Sequence, residues 1–190
     1  MKTTEPIRSK AHALALLNYF RKLGEKRNYL LICLCLHTAL RISDVLRITT
    51  DDVYDFQNHK VRDSISIVEK KTGKTKTIAL HKTVKKALSL YFPSVKPGTA
   101  LICNNRTGKA ISRVQAYRII KAAAAGVNLP YNVSCHSLRK TFGYHAWKTG
   151  TSPAVIMDIF NHSSLVITKR YLGINQDDKN VVYLGMSFAA

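Results

Sequence analysis

The sequence predicts a mainly α-helical domain with one small antiparallel β-sheet, an α+β fold. Apolar residues recur at helical spacing along most of the chain, and several of these segments begin after a serine that can cap a helix. One central stretch instead has β-branched residues on both sides of a glycine. No linker rich in glycine, serine or proline interrupts the 190 residues. We therefore expect a single domain spanning residues 1–190, large enough for a real core.

The first part of the chain predicts two long helices and a short one. Ser9 is a plausible N-cap for the first helix, and Gly24 ends it. The second helix runs from about Lys26 to Ala39 and is apolar on nearly every face, so it should lie at the centre. The motif RISDVLRI predicts a short helix with Ser43 as a possible cap, and TTDDV predicts a polar break.

The middle of the chain predicts a basic β-hairpin. Ser64–Glu69 and Thr75–Leu80 are rich in β-branched residues and partly alternate in polarity. Between them lies KKTGK, in which Gly73 suits the turn. The tip of this hairpin carries three lysines, Lys70, Lys71 and Lys74.

Helices return in the second half of the chain. We expect a helix at Lys82–Tyr91, a loop at PSVKPGT and a short strand at Ala100–Cys103. Serine caps and closing glycines then predict four further helices, namely one from Ser112 to Ala125 closed by Gly126, one carrying His136, one at Ala154–Phe160, and one carrying Tyr171 between Ser163 or Ser164 and Gly173.

The net charge indicates a polyanionic partner. The chain has 30 Lys and Arg against 11 Asp and Glu, a formal charge of +19. Such a charge repels itself unless it is neutralised, and nucleic acid is the leading candidate. A membrane surface is disfavoured because the basic residues are spread along the chain. No apolar run reaches the ~18 residues of a membrane span, and no signal sequence is evident, so we expect a cytoplasmic protein.

Cysteines and acidic residues do not predict a metal site or a cofactor. Cys33, Cys35, Cys103 and Cys135 fit no disulfide framework or zinc motif, and they are expected to pack inside the protein. Metal-dependent cleavage of nucleic acid needs several convergent carboxylates. The one acidic cluster lies in a turn, at Asp51, Asp52 and Asp55.

Three pairs of residues instead suggest a cationic site. His136 and Arg139 are three residues apart on one helix face, where an arginine can grip a phosphate and a histidine can exchange a proton. Arg41 and Asp44 have the same spacing, and Arg41 follows an apolar helix where a solvated charge is unexpected. The third pair is His162 and Tyr171. Fixed cations around a tyrosine suit phosphoryl transfer, because the transition state gathers negative charge.

Four motifs now stand in order along the chain: ALRISDVL, the KKTGK hairpin, HSLRKTF and NHSSLVITKRY. Together they resemble the catalytic domain of the tyrosine recombinases, the phage integrase family. The resemblance covers roughly residues 8–175 and leaves 176–190 as a C-terminal tail. It implies the fold of that domain and the activity of a site-specific recombinase or integrase of the kind found in mobile elements. Such an enzyme cleaves and rejoins double-stranded DNA through a 3′-phosphotyrosyl intermediate, with no metal and no cofactor.

The resemblance also implies a role for each matching residue. Arg41 and Arg139 resemble the paired phosphate-binding arginines, and His162 resembles the histidine that contacts the phosphate. Tyr171 resembles the nucleophile, and His136 the histidine that helps to take its proton. The acidic position that supports the site is matched by Asp44.

The hairpin lysine of the family protonates the leaving 5′ oxygen, and Lys71 matches it because Thr72 and Gly73 follow directly. Lys70 and Lys74 remain competitors for that role, since the register of a hairpin cannot be read to one residue. Phosphate contacts are expected from Lys70 and Lys74 and from three further basic residues, Arg106, Lys109 and Arg113.

Two departures from the family pattern stand out. Asn161 precedes His162, where the family usually has glycine, and asparagine tolerates left-handed backbone geometry well. The family also usually carries an N-terminal helical domain that clamps DNA, and we expect none here because the motifs begin by Arg41. The chain then represents either an excised catalytic domain or a natural short member.

The family's assembly suggests a tetramer on DNA and a monomer in free solution. The apolar residues at 181–184 would dock into a neighbouring copy or, alternatively, fold back on their own core. Two rival functions remain open. One is DNA relaxation like that of a type IB topoisomerase, and the other is DNA binding without catalysis on the same scaffold.

Overall fold

The computed structural model describes residues 4–92 and 96–188. Within them the chain forms helices and two small antiparallel sheets, which confirms the predicted fold class. The helices are α1 (Lys10–Lys22), α2 (Lys26–His37), α3 (Ile42–Val45), α4 (Thr50–Val53), α5 (Lys82–Tyr91), α6 (Arg113–Gly126), α7 (Cys135–Lys148), α8 (Pro153–Phe160), α9 (Leu165–Leu172) and α10 (Gln176–Gly185). The strands are β1 (Tyr54–Asp55), β2 (Lys60–Val61), β3 (Ser64–Val68) and β4 (Thr75–Ala79).

Helix α2 lies at the centre, as its all-round apolar sequence predicts. Its buried residues include Leu30, Leu31 and Ile32, each with no exposed surface, and it packs against α1, α5, α6 and α7. Four residues after Cys35 the chain turns at Ala39, which has a left-handed φ of 57° and is fully buried. This turn leads directly into α3.

The predicted hairpin is present as β3 and β4, each ending within one residue of its expected limit. The strands pair from Ser64 with Ala79 to Val68 with Thr75. The turn between them is closed by the Glu69 amide, which donates to the Lys74 carbonyl at 3.0 Å. Gly73 adopts a left-handed φ of 67°, as expected for its place in the turn. Ile65 anchors the hairpin in the main core.

Three local predictions are wrong. TTDDV is not a break, because Thr49 and Asp52 cap each other's backbone and start the short helix α4. Ser43 is not a cap, since Arg41 occupies the N-cap position of α3. Residues 100–103 form no strand, and only isolated bridges occur, from Thr49 to Ala100 and from Cys103 to Ala110.

Two further elements differ from the prediction or extend it. Gly126 is the last residue of α6 and does not end the helix with left-handed geometry, as its position had suggested. It is needed for packing instead, because a Cβ at this position would lie 2.2 Å from Tyr19 Cε2. The strands β1 and β2 are too short to leave a sequence pattern. Residues 93–95 of the expected PSVKPGT loop lie outside the described residues.

The C-terminal helices follow the predicted caps. Ser164, and not Ser163, caps α9, and Gly173 ends it with a φ of 68°. Beneath these helices lies a second apolar cluster, on which Tyr171 packs, made of Ala39, Ile156, Phe160 and Leu172. Helix α10 follows and has no buried residue. None of the described helices has the length and apolarity of a membrane span.

Candidate active site

Arg139 forms the floor of the candidate site. It lies on α7, whose N-terminus is capped by Ser134, and its side chain is only 2% exposed. Its guanidinium donates to the Phe160 carbonyl at 2.7 Å and to the Ala39 carbonyl. It also lies 4.8 Å from the centroid of the Phe160 ring. Burial lowers the pKa of this guanidinium, but an arginine stays charged at any physiological pH.

Arg41 approaches the same carbonyl from the N-cap of α3. It lies 3.4 Å from the Phe160 oxygen and forms an ion pair of 3.1 Å with Glu69. Phe160 ends α8, so both arginines gather at the negative end of that helix dipole. The two predicted arginines are therefore brought together, although 98 positions separate them in the sequence.

Asp44 lies three residues after Arg41 but bonds to the hairpin. The carboxylate is 2% exposed and accepts a 3.0 Å hydrogen bond from the Lys70 backbone amide. Asp44 is therefore joined to the start of the hairpin turn. The partner of Arg41 is instead Glu69, which sequence reasoning missed because the two residues meet only in the tertiary fold.

Tyr171 lies on α9 with its hydroxyl facing the arginines. The hydroxyl oxygen is 3.4 Å from His136 Nδ1. Its ring meets the edges of Phe160 and His162 at centroid distances of 5.0 and 4.9 Å. Burial raises the pKa of Tyr171 above its ordinary value, and the charge of Arg139, together with a hydrogen bond from it, partly offsets that rise. The charges of Arg139 and Arg41 would also stabilise a tyrosinate at this position.

Both histidines of the site are neutral near pH 7. Burial and then the charges of Arg139 and Arg41 lower the pKa of His162 to about 4. Burial and then the charge of Arg139 also lower the pKa of His136. His162 Nδ1 lies 3.1 Å from the Thr168 hydroxyl, which orients the ring. A neutral imidazole can accept a proton, so His136 is ready to act as a base toward Tyr171.

The hairpin lysines differ in what they face. Lys71 has an exposed side chain, and its charge helps to lower the pKa of His162, which places it on the site side of the turn. The Lys70 amide is held by Asp44 while its side chain is exposed, and the exposed Lys74 lines a hollow that also contains Lys76 and His162. Lys71 stays the preferred match because Thr72 and Gly73 follow it directly, as in the family motif.

A fourth lysine, Lys76, was not predicted. It is half-buried on β4 and donates to the Ile159 carbonyl, one residue before the carbonyl that the arginines share. Burial and then the charge of Arg139 lower its pKa to about 8. Strand alternation was the available signal, since Lys76 lies on the same inward face as Ile78.

The predicted DNA-contact residues are not all close to this cluster. Arg113 borders a hollow that also contacts His136, and its charge helps to lower the pKa of His136. Arg106 and Lys109 are exposed in the turn before α6, and no hydrogen bond found among the described residues joins their side chains to the site. Cys135 lines the same hollow as Arg113, and burial raises its thiol pKa, as expected for a packing residue.

A tyrosine beside a neutral histidine and two buried or half-buried arginines is the arrangement expected of an enzyme that transfers a phosphoryl group to tyrosine. Comparison with known proteins then identifies the family. The model of the Phage integrase family matches residues 9–177, so the chain belongs to this family. This confirms the resemblance to tyrosine recombinases that the four motifs had suggested.

Named relatives agree with that assignment. The chain is 38% identical over 183 residues to "Probable integrase/recombinase YoeC" of Bacillus subtilis (strain 168), covering 96% of this chain and 97% of that one. It is 28% identical over 152 residues to "Tyrosine recombinase XerD" of Mycobacterium tuberculosis (strain CDC 1551 / Oshkosh), covering 76% of this chain. That match spans 47% of the XerD sequence, about half of its length.

Solved structures share the fold. The crystal structure of XerA recombinase has a TM-score of 0.78 at 21% identity, covering 97% of this chain and 66% of XerA. A post-cleavage complex of XerH site-specific recombinase bound to palindromic difH substrate has a TM-score of 0.75 at 18% identity, covering 97% of this chain and 54% of XerH. At these identities the likeness establishes the fold, and the role of each site residue stays a prediction.

Proposed function

We propose that this chain is a site-specific DNA recombinase that cuts and rejoins DNA through a 3′-phosphotyrosyl link on Tyr171. The observation that carries the proposal is the position of the Tyr171 hydroxyl, 3.4 Å from a neutral His136 and beside the buried Arg139. A tyrosine needs a base and strong positive charge to act as a nucleophile near neutral pH, and this one has both.

The cleavage step transfers one phosphodiester. Tyr171 Oη attacks the phosphorus while its proton passes to His136 Nδ1. The bond from phosphorus to the 5′ oxygen breaks, and that oxygen takes a proton from Lys71 Nζ. The DNA strand is left with its 3′ phosphate on Tyr171 and with a free 5′ hydroxyl. A 5′ hydroxyl of another strand reverses the step, so rejoining needs no ATP because the number of phosphoester bonds is unchanged.

The cations hold the phosphate and its developing charge. Arg139 uses two donors on the carbonyls of Ala39 and Phe160, and a guanidinium has five N–H groups, so donors remain for phosphate oxygens. Arg41 is placed beside it by the same carbonyl. His162, which is neutral near pH 7 and whose ring lies 4.9 Å from the Tyr171 ring, adds an uncharged donor to these cations. Donors that are oriented before the substrate arrives lower the barrier because they need no reorganisation.

The two rival functions have less support. The relatives carry integrase and recombinase names, and nothing in the comparisons favours a topoisomerase-like enzyme or a non-catalytic DNA-binding protein. A binding protein would also have no use for a base within reach of a tyrosine hydroxyl.

Assembly on DNA is part of the proposal. The Lys148–Asp178 ion pair of 2.8 Å fixes the start of α10 against α7. The later residues Val181, Val182, Tyr183 and Leu184 are 62–87% exposed, so the fold-back alternative for this segment is not what the structure shows. We propose that they dock onto a neighbouring copy in a tetramer. Free copies carrying a formal charge of +19 repel one another, and DNA removes that repulsion, so the free protein is a monomer.

Basic side chains outside the catalytic cluster would follow the DNA backbone. The proposal assigns this to Arg113 beside the site, to Lys70 and Lys74 on the hairpin, and to the more distant Arg106 and Lys109. Such contacts release counterions, so binding should weaken steeply as salt rises. The cytoplasmic location expected from the sequence stays a prediction.

Suicide DNA substrates test the reaction. A duplex nicked just beyond the scissile phosphate, built from the junctions of the genetic element that encodes the chain, traps the covalent product because the released fragment diffuses away. Wild-type protein should form an adduct that survives denaturing electrophoresis, and Tyr171→Phe should form none. Absence of any wild-type adduct would refute the enzyme, and an adduct with Tyr171→Phe would refute this nucleophile.

The same assay tests metal independence. Adduct formation should be unchanged by EDTA, because the cationic side chains are proposed to supply the positive charge. Loss of the adduct in EDTA and its return with added Mg²⁺ would contradict that part of the proposal.

A further inference from the structure

Three polar side chains join the hairpin to the turn that carries His162. We propose that this set, Glu69, Thr72 and Asn161, acts as a latch that positions Lys71 for proton transfer to the leaving 5′ oxygen. The inference rests on the proposed function, and it concerns residues that act through Lys71 and not on the DNA itself.

The latch is a closed group of hydrogen bonds. Asn161 Nδ2 donates to Glu69 Oε2 at 2.9 Å and to Thr72 Oγ1 at 3.0 Å. The Thr72 hydroxyl in turn donates to Glu69 Oε2 at 2.9 Å. Each group therefore contacts both of the others. Asn161 and Glu69 are 92 positions apart in the sequence, so the latch joins two separate parts of the chain.

Residues of the latch lie on both sides of Lys71 in the sequence. Glu69 and Thr72 flank the dipeptide Lys70–Lys71, so both ends of that segment are held. The Lys70 amide is held as well, by Asp44 at 3.0 Å. The backbone on each side of Lys71 is thus fixed to the catalytic cluster, while its own side chain stays free to reach a substrate.

Burial and charge make Glu69 the fixed point of the latch. Its side chain is 1% exposed and also pairs with Arg41 at 3.1 Å. Burial alone would raise the pKa of Glu69, but hydrogen bonds from Asn161 and Thr72 and the charge of Arg41 bring it below its ordinary value. A buried carboxylate with these partners keeps its charge and its position near neutral pH.

Asn161 combines two requirements at one position. It ends α8 with φ 52° and ψ 50°, a left-handed conformation that glycine adopts most readily. Glycine would meet the backbone requirement without supplying an amide donor. The replacement Asn161→Gly therefore removes the side-chain hydrogen bonds while it leaves the turn before His162 unstrained. It is a cleaner probe than a change at Glu69, whose loss would also release Arg41.

The experiment compares two suicide substrates that differ in one atom. The first has the natural oxygen at the scissile 5′ position, and the second has sulfur there. A thiolate leaves without being protonated because a thiol is far more acidic than an alcohol. Loss of the general acid therefore slows cleavage of the oxygen substrate only. Lys71→Ala provides the reference behaviour.

Asn161→Gly and Thr72→Ala should each slow adduct formation on the oxygen substrate by roughly 10- to 100-fold, as expected for a misplaced proton donor. On the sulfur substrate both should react at close to the wild-type rate. Thr72→Ser keeps the hydroxyl and is the matched control, which should behave as wild type on both. Thermal unfolding confirms that the variants are folded.

Several results would overturn the latch. Equal losses on both substrates would mean that the variants disturb the site generally, and no loss on the oxygen substrate would mean that the hairpin needs no such support. Failure of sulfur to rescue Lys71→Ala would remove the role that the latch is proposed to serve. The proposed function fails separately, if wild-type protein forms no adduct with either substrate.

Discussion

The two sides of the candidate site are held in place by different forces. The nucleophile side consists of Arg139 and Tyr171 on helices that pack over the apolar cluster around Phe160. The hairpin side, residues 69–74, meets the site through polar contacts, chiefly those made by Asp44, Arg41 and Asn161. Close packing has few alternative arrangements, whereas one polar contact typically contributes about 1 kcal/mol. The proposed nucleophile is thus positioned by the core, and the proposed proton donor by a few hydrogen bonds.

The largest effect is expected where the hairpin side meets the reaction. Lys71→Ala should slow adduct formation on an oxygen substrate by about 10²- to 10⁴-fold, the usual contribution of a general acid. Lys74→Ala, three residues further along the turn, should retain most activity and only shift the salt dependence of binding. Single-turnover cleavage rates at several salt concentrations would separate the two. A larger loss with Lys74→Ala than with Lys71→Ala would reverse the assignment of the lysines.

On the nucleophile side, Arg139→Lys should slow adduct formation by roughly 10²- to 10³-fold. Lysine keeps the positive charge, but its single ammonium lacks the planar set of donors with which Arg139 can bind two backbone carbonyls and a phosphate at once. The carbonyls of Ala39 and Phe160 would then lose a buried donor, so the melting temperature should fall as well. Arg170→Lys, an exposed change on the same helix as Tyr171, is the control and should alter neither property.

A matched pair of glycines separates packing from turn geometry. At Gly143 an added Cβ would lie 2.5 Å from the Phe160 ring, so Gly143→Ala should destabilise the protein by about 1–3 kcal/mol and also impair cleavage. At Gly73 the Cβ would meet nothing within 4 Å, but φ is +67°. Gly73→Ala should therefore cost only about 1–2 kcal/mol, from backbone strain alone. Denaturant unfolding measures the loss of stability in both variants. Equal losses of cleavage activity in Gly143→Ala and Gly73→Ala would contradict the contrast between the two sides of the site.

The smallest effect concerns pH. The pKa of His162 is about 4 in the folded protein and near 6.5 when unfolded, so the unfolded chain binds more protons between these values. Its contribution to stability is complete above the unfolded pKa and is lost as the pH falls from about 6.5 toward 4. His162→Asn should show a shallower loss of melting temperature over that range. An unchanged slope would show that His162 protonates freely in the fold.

Prediction from sequence succeeded where the information is local. Serine caps, closing glycines and the β-branched hairpin depend on neighbours within a few residues, and the helix Lys82–Tyr91 was predicted to the residue. It failed for α4, where the reciprocal capping of Thr49 and Asp52 turned a polar segment into a helix. It also failed for β1 and β2, whose two-residue strands carry no periodicity.

The sequence by itself determined the family, the α+β class and the candidate residues Arg41, His136, Arg139, His162 and Tyr171, because short motifs record residue identity and spacing. Only the tertiary structure decided which of these residues meet and what holds them. It paired Arg41 with Glu69 in place of Asp44, brought Lys76 to the end of α8, and joined Asn161 to the hairpin. The reason is physical: such partners lie far apart along the chain, and no local pattern records a contact that packing of the whole domain creates.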